Sequence, residues 1–183
     1  IFRAPLQKLL SINATDSLLP FTVMLVVFAL LMPVAGFLID RFGARRVVAA
    51  GGLLTGLGYI LSSLDGNIAL LVFTYGVIGG AGIGIAYGVP LAVAARWFPD
   101  KKGIALGTTV IGFGLSPVIT APIAANLIAN NGVRQTFVIL GIAFTAIILA
   151  IATVLKTPPA DWTPDGWTPP ASKGRASTSQ ENM

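Results

Sequence analysis

Residues 36–46 read GFLIDRFGARR and join two stretches that carry no charged side chain. Gly43 favours a turn, because glycine readily adopts the left-handed backbone conformation that ends a helix. The charges around this turn oppose the helix dipole, since Asp40 ends one predicted helix while Arg45 and Arg46 begin the next. A carboxylate in such an unfavourable place predicts a specific partner in the tertiary structure.

Five stretches of the chain carry no charged side chain, and every charge lies between or outside them. Because an α-helix rises about 1.5 Å per residue, about 20 residues cross the ~30 Å hydrocarbon layer of a membrane. Barrel strands would alternate apolar and polar residues, whereas these stretches are apolar on every face. The sequence predicts an all-α membrane bundle over residues 18–156, with spans at about 19–39, 47–64, 68–95, 104–128 and 136–155.

The composition excludes an ordinary soluble enzyme. Apolar residues make up 55% of the 183 positions and charged residues 10%, against about 25% charged residues in a typical soluble domain. The chain has neither cysteine nor histidine, which removes disulfides, thiolate ligands, and the commonest general base and zinc ligand. We therefore expect no catalytic residue, no metal and no cofactor.

The positions of the basic residues predict the orientation of the bundle. A net charge of +5 is also compatible with nucleic-acid binding, but the basic residues concentrate in alternate loops, as the positive-inside rule describes. Nine lie on one side, and only Arg3, Lys8 and Arg134 lie on the other. We expect a multi-pass protein of the plasma or inner membrane. Its partner is then the lipid bilayer, and we expect no binding of nucleic acid.

The two ends of the chain differ from its middle. The chain begins with Ile rather than Met, and residues 1–17 contain eight polar or charged residues, which predicts an extracytoplasmic loop. Residues 157–183 contain five prolines and a Ser/Thr-rich end, which predicts a cytoplasmic linker that is disordered toward its end. Two positions, Trp162 and Trp167, fit either the headgroup level of a membrane or a solvated linker.

The quoted stretch resembles the loop between the second and third helices of the major facilitator superfamily, whose pattern is G-x-L-x-D-R-x-G-x-R-R. Ala44 stands where that family more often has Arg. A second region looks like the oxalate/formate antiporter and monocarboxylate transporter branch, at residues 84–90 (GIAYGVP), 96–107 (RWFPDKKGIALG) and 112–114 (GFG). The resemblance implies helices two to six of a twelve-helix transporter, so that we expect a fragment without the first helix and the C-terminal half.

In that family the loop holds the cytoplasmic ends of the two halves together when the transporter opens outward. The resemblance implies this gate role for the loop residues Gly36, Asp40, Arg41, Gly43, Arg45 and Arg46. We infer that Asp40 pairs with Arg96, which ends the fourth helix on the same side. The alternative is that these charges serve only to orient the chain in the membrane.

A glycine stripe recurs every four residues along the fourth helix, at Gly76, Gly80, Gly84 and Gly88. In lipid, small residues at this spacing let a second helix approach closely. We therefore predict helix packing along this stripe. The third helix has a similar pair in Gly52 and Gly56.

Four prolines lie inside the predicted spans, at Pro33, Pro90, Pro117 and Pro122. Each removes a backbone hydrogen bond, which predicts a kink. Kinks at membrane depth are tolerated where neighbours or cavity water satisfy the freed carbonyl. We expect the bends at Pro117 and Pro122 to shape a cavity wall.

Tyr87 and Phe113 are the candidate substrate-binding residues. Tyr87 lies too deep in its span for a residue of the membrane interface. Weaker candidates are Tyr59, Tyr75, Ser116, Thr108 and Thr109. The resemblance implies aromatic walls around a small carboxylate, with cationic side chains supplied by the C-terminal half.

The sequence therefore favours a secondary transporter of small carboxylates that works by alternating access, through exchange or proton symport. One alternative is a major facilitator that carries another class of small solute. A second is a structural or channel subunit with five spans. A membrane enzyme is disfavoured, because its spans would need paired carboxylates, His or Cys at bilayer depth.

Overall fold

The structure is a computed structural model that describes residues 2–10, 12–64, 66–159 and 162–164. Within these residues it is helical, without a β-strand, so the predicted all-α fold is confirmed. A 3₁₀ turn, Asp16–Leu18, precedes α2, and a π-helical segment, Val72–Gly79, joins α5 to α6. The α-helices are α1 (Arg3–Leu10), α2 (Leu19–Leu31), α3 (Val34–Phe42), α4 (Ala44–Ser62), α5 (Ile68–Leu71), α6 (Gly80–Trp97) and α7 (Lys102–Val154).

Helices α2 and α3 form one bent rod. The bend between Asp16–Leu31 and Val34–Phe42 is 51°. Pro33 lies at this bend, where it precedes the first residue of α3. Because proline has no N–H and its ring crowds the preceding turn, the straight hydrogen-bond ladder stops there. The kink predicted at Pro33 is confirmed.

Helix α7 contains a sharp break at Gly132, where φ is 76° and ψ is 172°. This glycine divides α7 into a first arm (residues 102–131) and a second arm (residues 133–154). The connection that the sequence predicts over residues 129–135 thus needs only one non-helical residue, because glycine tolerates a positive φ. Pro117 and Pro122 lie in the first arm, where the backbone dihedral angles are helical, and the bends expected there stay a prediction; the non-helical residue within α7 is Gly132.

Among the described residues, two helices are long and apolar enough to cross a membrane, Ile68–Trp97 and Lys102–Val154, and the bent α2–α3 rod makes a third if it counts as one span. Five spans are predicted from the sequence. Part of the difference arises because Lys102–Val154 contains both arms of α7, which meet at the Gly132 break and correspond to two predicted spans. Helix α4 covers another predicted span, but it begins with Arg45 and Arg46, which lower its mean hydropathy.

Helix α4 lies at the centre of the bundle, and glycines let its neighbours approach it closely. A Cβ atom on Gly51 would lie 2.8 Å from the backbone nitrogen of Ala86 in α6. Gly52 and Gly56 face Ile148 and Thr145 of the second arm of α7. Because bare backbone forms these contacts, α4 can touch both helices along its length.

A buried apolar cluster closes the end of the bundle where Asp40 lies, which we call the Asp40 end. It joins residues of α3, α4, α6 and the second arm of α7. Ala35 and Val89 are fully shielded from solvent. The cluster consists of Ala35, Ile39, Ala44, Val47, Val48, Val89, Val93 and Ala152.

Residues 3–10, which we predicted as part of a loop, form helix α1 instead. Leu6 and Leu10 are four residues apart and therefore share a helix face. Leu6 is buried with Leu71 and Phe137, and the ring of Phe2 stacks on Phe137 with centroids 4.7 Å apart. Burial of this apolar face stabilises α1. The polar and charged residues of the segment had favoured a loop instead.

The predicted linker is described at residues 157–159 and 162–164. Trp162 belongs to this part and is 42% exposed. The predicted disorder toward residue 183 and the interpretation of Trp167 lie outside the described residues.

Candidate functional site

A cavity of about 440 Å³ lies between α2, α4, α6 and both arms of α7. We call it the central cavity. Its wall is mainly apolar and aromatic, with hydroxyl groups as its polar component. Among the described residues, no charged side chain lines it. The residues that matter below are Phe28, Thr55, Tyr59, Tyr87, Phe113, Ser116, Thr120 and Phe144.

Three rings from three different helices meet in the wall of the central cavity. Tyr87 of α6 lies between the other two, with ring centroids 5.5 Å from Phe28 of α2 and 5.0 Å from Phe113 of α7. Phe28 and Phe113 are nearly parallel at 6.3 Å. Rings at such distances attract one another beyond simple area burial, so this cluster fixes the positions of the rings that face the cavity.

Two hydroxyl groups in the cavity wall remain free to bind a solute. Thr55 donates to the carbonyl of Gly51 at 2.8 Å, and Thr120 donates to the carbonyl of Ser116 at 2.9 Å. In the part of the chain that the structure describes, the side-chain hydroxyls of Tyr87 and Ser116 have no hydrogen-bond partner. Each can donate one hydrogen bond to an acceptor in the cavity.

The structure brings the two main sequence candidates, Tyr87 and Phe113, into one wall, together with the weaker candidates Tyr59 and Ser116. Thr108 and Thr109 lie outside it, and their hydroxyls donate to the backbone carbonyl of Ala105. Four further residues of the wall were not predicted from the sequence: Phe28, Thr55, Thr120 and Phe144. Only the helix packing reveals which face of each span they occupy.

Tyr75, another weak candidate, lines a different pocket of about 370 Å³ under α1. Its ring meets Tyr59 edge to face with centroids 5.4 Å apart. Tyr59 faces the central cavity, whereas Tyr75 faces the pocket under α1. The two rings therefore separate the central cavity from the pocket under α1.

Asp40 and Arg96 form the predicted pair at the Asp40 end. The distance between Asp40 Oδ1 and Arg96 Nη2 is 2.7 Å. Asp40 lies in the last turn of α3 and Arg96 in the last turn of α6. Their side chains are 66% and 37% exposed, so solvent screens their attraction. The carboxylate that opposes the dipole of α3 thus has a tertiary partner.

The other loop residues make more local contacts. Gly43 adopts a φ of 81° and ends α3, as predicted. The guanidinium carbon of Arg41 lies 5.4 Å from the ring centroid of Phe42. Within the described ranges, Arg45 and Arg46 form no ion pair, although both lie in the first turn of α4. A Cβ atom on Gly36 would meet nothing within 4 Å.

The glycine stripe packs against α2 and the turn after it. Cβ atoms built on its four members would approach four backbone carbonyl oxygens that follow the same four-residue spacing. These oxygens belong to Pro20, Met24, Phe28 and Met32, at 3.1, 2.9, 2.8 and 2.6 Å from Gly76, Gly80, Gly84 and Gly88 respectively. The contact holds α2 against the π-helical segment and α6, and so places Phe28 beside Tyr87.

Comparison with known families gives one match that covers most of the chain. The profile of the Major Facilitator Superfamily matches residues 2–180. Among individual proteins, the chain is 30% identical over 158 residues to the oxalate:formate antiporter of Oxalobacter formigenes, which covers 86% of this chain and 38% of that protein.

Two other relatives carry transporter names. An uncharacterized MFS-type transporter of Escherichia coli, YhjX, is 31% identical over 159 residues, which is 87% of this chain and 40% of that protein. Monocarboxylate transporter 9 of Rattus norvegicus is 33% identical over 124 residues, which is 68% of this chain and 24% of that protein. The chain therefore spans well under half the length of these relatives.

Proposed function

The chain belongs to the Major Facilitator Superfamily, and on this premise we propose that it is part of a secondary transporter that moves small carboxylates across a membrane by alternating access. The length of its relatives supports a longer polypeptide, in which a second half completes the translocation pathway. The names of two relatives, an oxalate:formate antiporter and a monocarboxylate transporter, support a small carboxylate as the solute. Exchange and proton symport both fit this proposal.

The central cavity carries the proposal, because its chemistry suits a small anion. Ring edges are the positive part of an aromatic quadrupole, and Phe28, Tyr87 and Phe113 cluster in the wall. The free hydroxyls of Tyr87 and Ser116 can donate to carboxylate oxygens. We expect the second half to contribute the cationic group, since the described part of this cavity wall is uncharged.

The ion pair at the Asp40 end supports a gate on the cytoplasmic side. Basic residues concentrate at this end, with Arg41, Arg45, Arg46 and Arg96 among them, as expected for a cytoplasmic face. We assign Asp40 and Arg96 to the gate, together with Arg41, Gly43, Arg45, Arg46 and Gly36 of the same loop. An exposed pair of modest strength can bias two conformations that differ by a few kcal/mol.

Uptake into proteoliposomes tests the proposed solute class. The full-length protein would be reconstituted and given radiolabelled oxalate, formate, lactate and pyruvate, with glycerol as a neutral solute and choline as a cation. We expect saturable uptake of at least one carboxylate above protein-free vesicles and no uptake of the other two solutes. Uptake of only glycerol or choline would contradict the carboxylate assignment.

Tyr87→Phe should raise the KM for the transported carboxylate about fivefold with little change in the maximal rate. The substitution keeps the ring and its packing but removes the hydroxyl, and one net hydrogen bond is worth about 1 kcal/mol. Initial uptake rates over a range of solute concentrations measure this effect. Tyr75→Phe is the matched control, because Tyr75 lines the pocket under α1. An unchanged KM in Tyr87→Phe would exclude the hydroxyl contact.

A further inference from the structure

Two indole groups, those of Trp97 and Trp162, form hydrogen bonds where α6 and α7 finish, on the side of the bundle that holds Asp40. Trp97 is the last residue of α6, and Lys156 follows the last residue of α7, Val154. The Nε1–H group of Trp97 donates to the carbonyl of Lys156 at 2.9 Å. Lys156 lies two residues beyond Val154, in the segment that leaves α7, so this bond ties the end of α6 to the chain that follows α7.

The segment that follows α7 also contacts Trp97, through Trp162. The Nε1–H group of Trp162 donates to the carbonyl of Trp97 at 3.2 Å, and the two rings meet edge to face with centroids 5.2 Å apart. The backbone N–H of Trp162 donates to the carbonyl of Pro159 at 3.1 Å. Pro158 and Pro159 restrict the backbone directly after Lys156 and Thr157. Trp162 therefore holds the last carbonyl of α6, which has no partner within that helix, while Trp97 holds a carbonyl of the segment that follows α7.

Arg96 directly precedes Trp97 and carries the ion pair to Asp40. The position of its guanidinium depends on where α6 ends and how that last turn is held. The bonds of Trp97 and Trp162 are made at this turn. One connected set of contacts thus joins α3, α6, α7 and the beginning of the linker.

We propose that Trp97 and Trp162 form a reciprocal indole clamp that fixes the beginning of the linker across the ends of α6 and α7 and positions Arg96 for its pair with Asp40. Trp162 is in this account a positioning residue that acts through Trp97 and Arg96. A movement of the second half of the protein that displaces the linker would then shift Arg96 relative to Asp40. The effect of the clamp on the gate rests on the proposed transport function, whereas the clamp itself does not.

Tryptic cleavage after Lys156 in the native full-length protein tests the clamp itself. The scissile peptide contains the carbonyl that Trp97 holds, and a protease needs this segment to open locally before it cleaves. We expect Trp162→Phe, which keeps a ring but loses the donor, to speed this cleavage about fivefold, and Trp162→Ala about tenfold or more. Phe98→Ala is the matched control, since Phe98 is a neighbouring, 53% exposed ring outside the clamp. Unchanged cleavage in both Trp162 variants would overturn the clamp.

A double-mutant cycle on transport tests the connection to the gate. We expect Trp162→Phe to lower the maximal uptake rate severalfold at unchanged KM and protein level, and to add nothing in an Arg96→Gln background. A purely structural role predicts additive losses or a lower protein level, and either result would overturn the positioning role. If the protein carries no carboxylate, the proposed function fails, while the cleavage experiment still decides the clamp.

Discussion

Gly80→Leu should prevent the bundle from assembling. A Cβ atom at this position would lie 2.9 Å from the carbonyl oxygen of Met24 and 3.1 Å from its Cα atom. Both are backbone atoms, so the clash cannot be relieved by a side-chain rotation, and α2 must move away along its length. Overpacking of a core side chain costs about 1–3 kcal/mol, and we expect a backbone clash with a leucine to cost more than about 3 kcal/mol.

The expected result is a more than tenfold loss of monodisperse full-length protein in detergent, measured by size-exclusion chromatography. Gly80→Ala should give an intermediate loss, because it adds the Cβ atom alone. Gly66→Leu provides the control for the same chemical change, since nothing lies within 4 Å of a Cβ atom there. Normal recovery of Gly80→Leu would contradict the packing of the glycine stripe.

Arg96→Asp should lower the maximal transport rate about thirtyfold without a loss of protein. The substitution removes an attraction and places a second carboxylate beside Asp40. Because both side chains are partly exposed, screening limits the attraction to about 1 kcal/mol, and the repulsion adds a similar amount. Together they shift the balance between two conformations by about 2 kcal/mol, which is about thirtyfold.

Exchange of the two charges separates pairing from other roles of Arg96. The double variant Asp40→Arg, Arg96→Asp restores opposite charges, and we expect it to recover most of the lost rate. Arg134→Asp makes the same charge change outside the Asp40 end and should have little effect. A charge-exchanged protein as slow as Arg96→Asp alone would exclude the pair as the gating contact.

The fold class was predictable because membrane helices leave a strong signal in the sequence. Long stretches without charge define spans on their own, and the proline at position 33 marks a bend that the structure contains. Helix α1 was not predictable in the same way, since its stability comes from Leu6 and Phe2 packing against Phe137, far along the chain. The break at Gly132 replaces the expected longer connection because one positive φ is enough.

The candidate site was predictable only in part. Asp40 opposes its helix dipole, so a partner was expected, and Arg96 lies at 2.7 Å. Tyr87 stood out by its depth in a span. Phe28 carries no such mark, because a phenylalanine in a membrane helix can face either lipid or a cavity. The structure identifies it as a site residue, because the glycine stripe packs α2 against the π-helical segment and α6.

Protection of an introduced thiol by the solute tests most directly whether the central cavity binds a small carboxylate. This chain has no cysteine, so Ser116→Cys adds a single reactive group to the cavity wall, and Gly66→Cys adds a control outside it. An anionic methanethiosulfonate reagent would be applied to the full-length protein, otherwise free of cysteine, with and without each carboxylate. We predict that a transported carboxylate slows modification at position 116 at least severalfold and leaves position 66 unchanged, whereas equal modification of Ser116→Cys with and without saturating carboxylate would contradict the central cavity as the solute site.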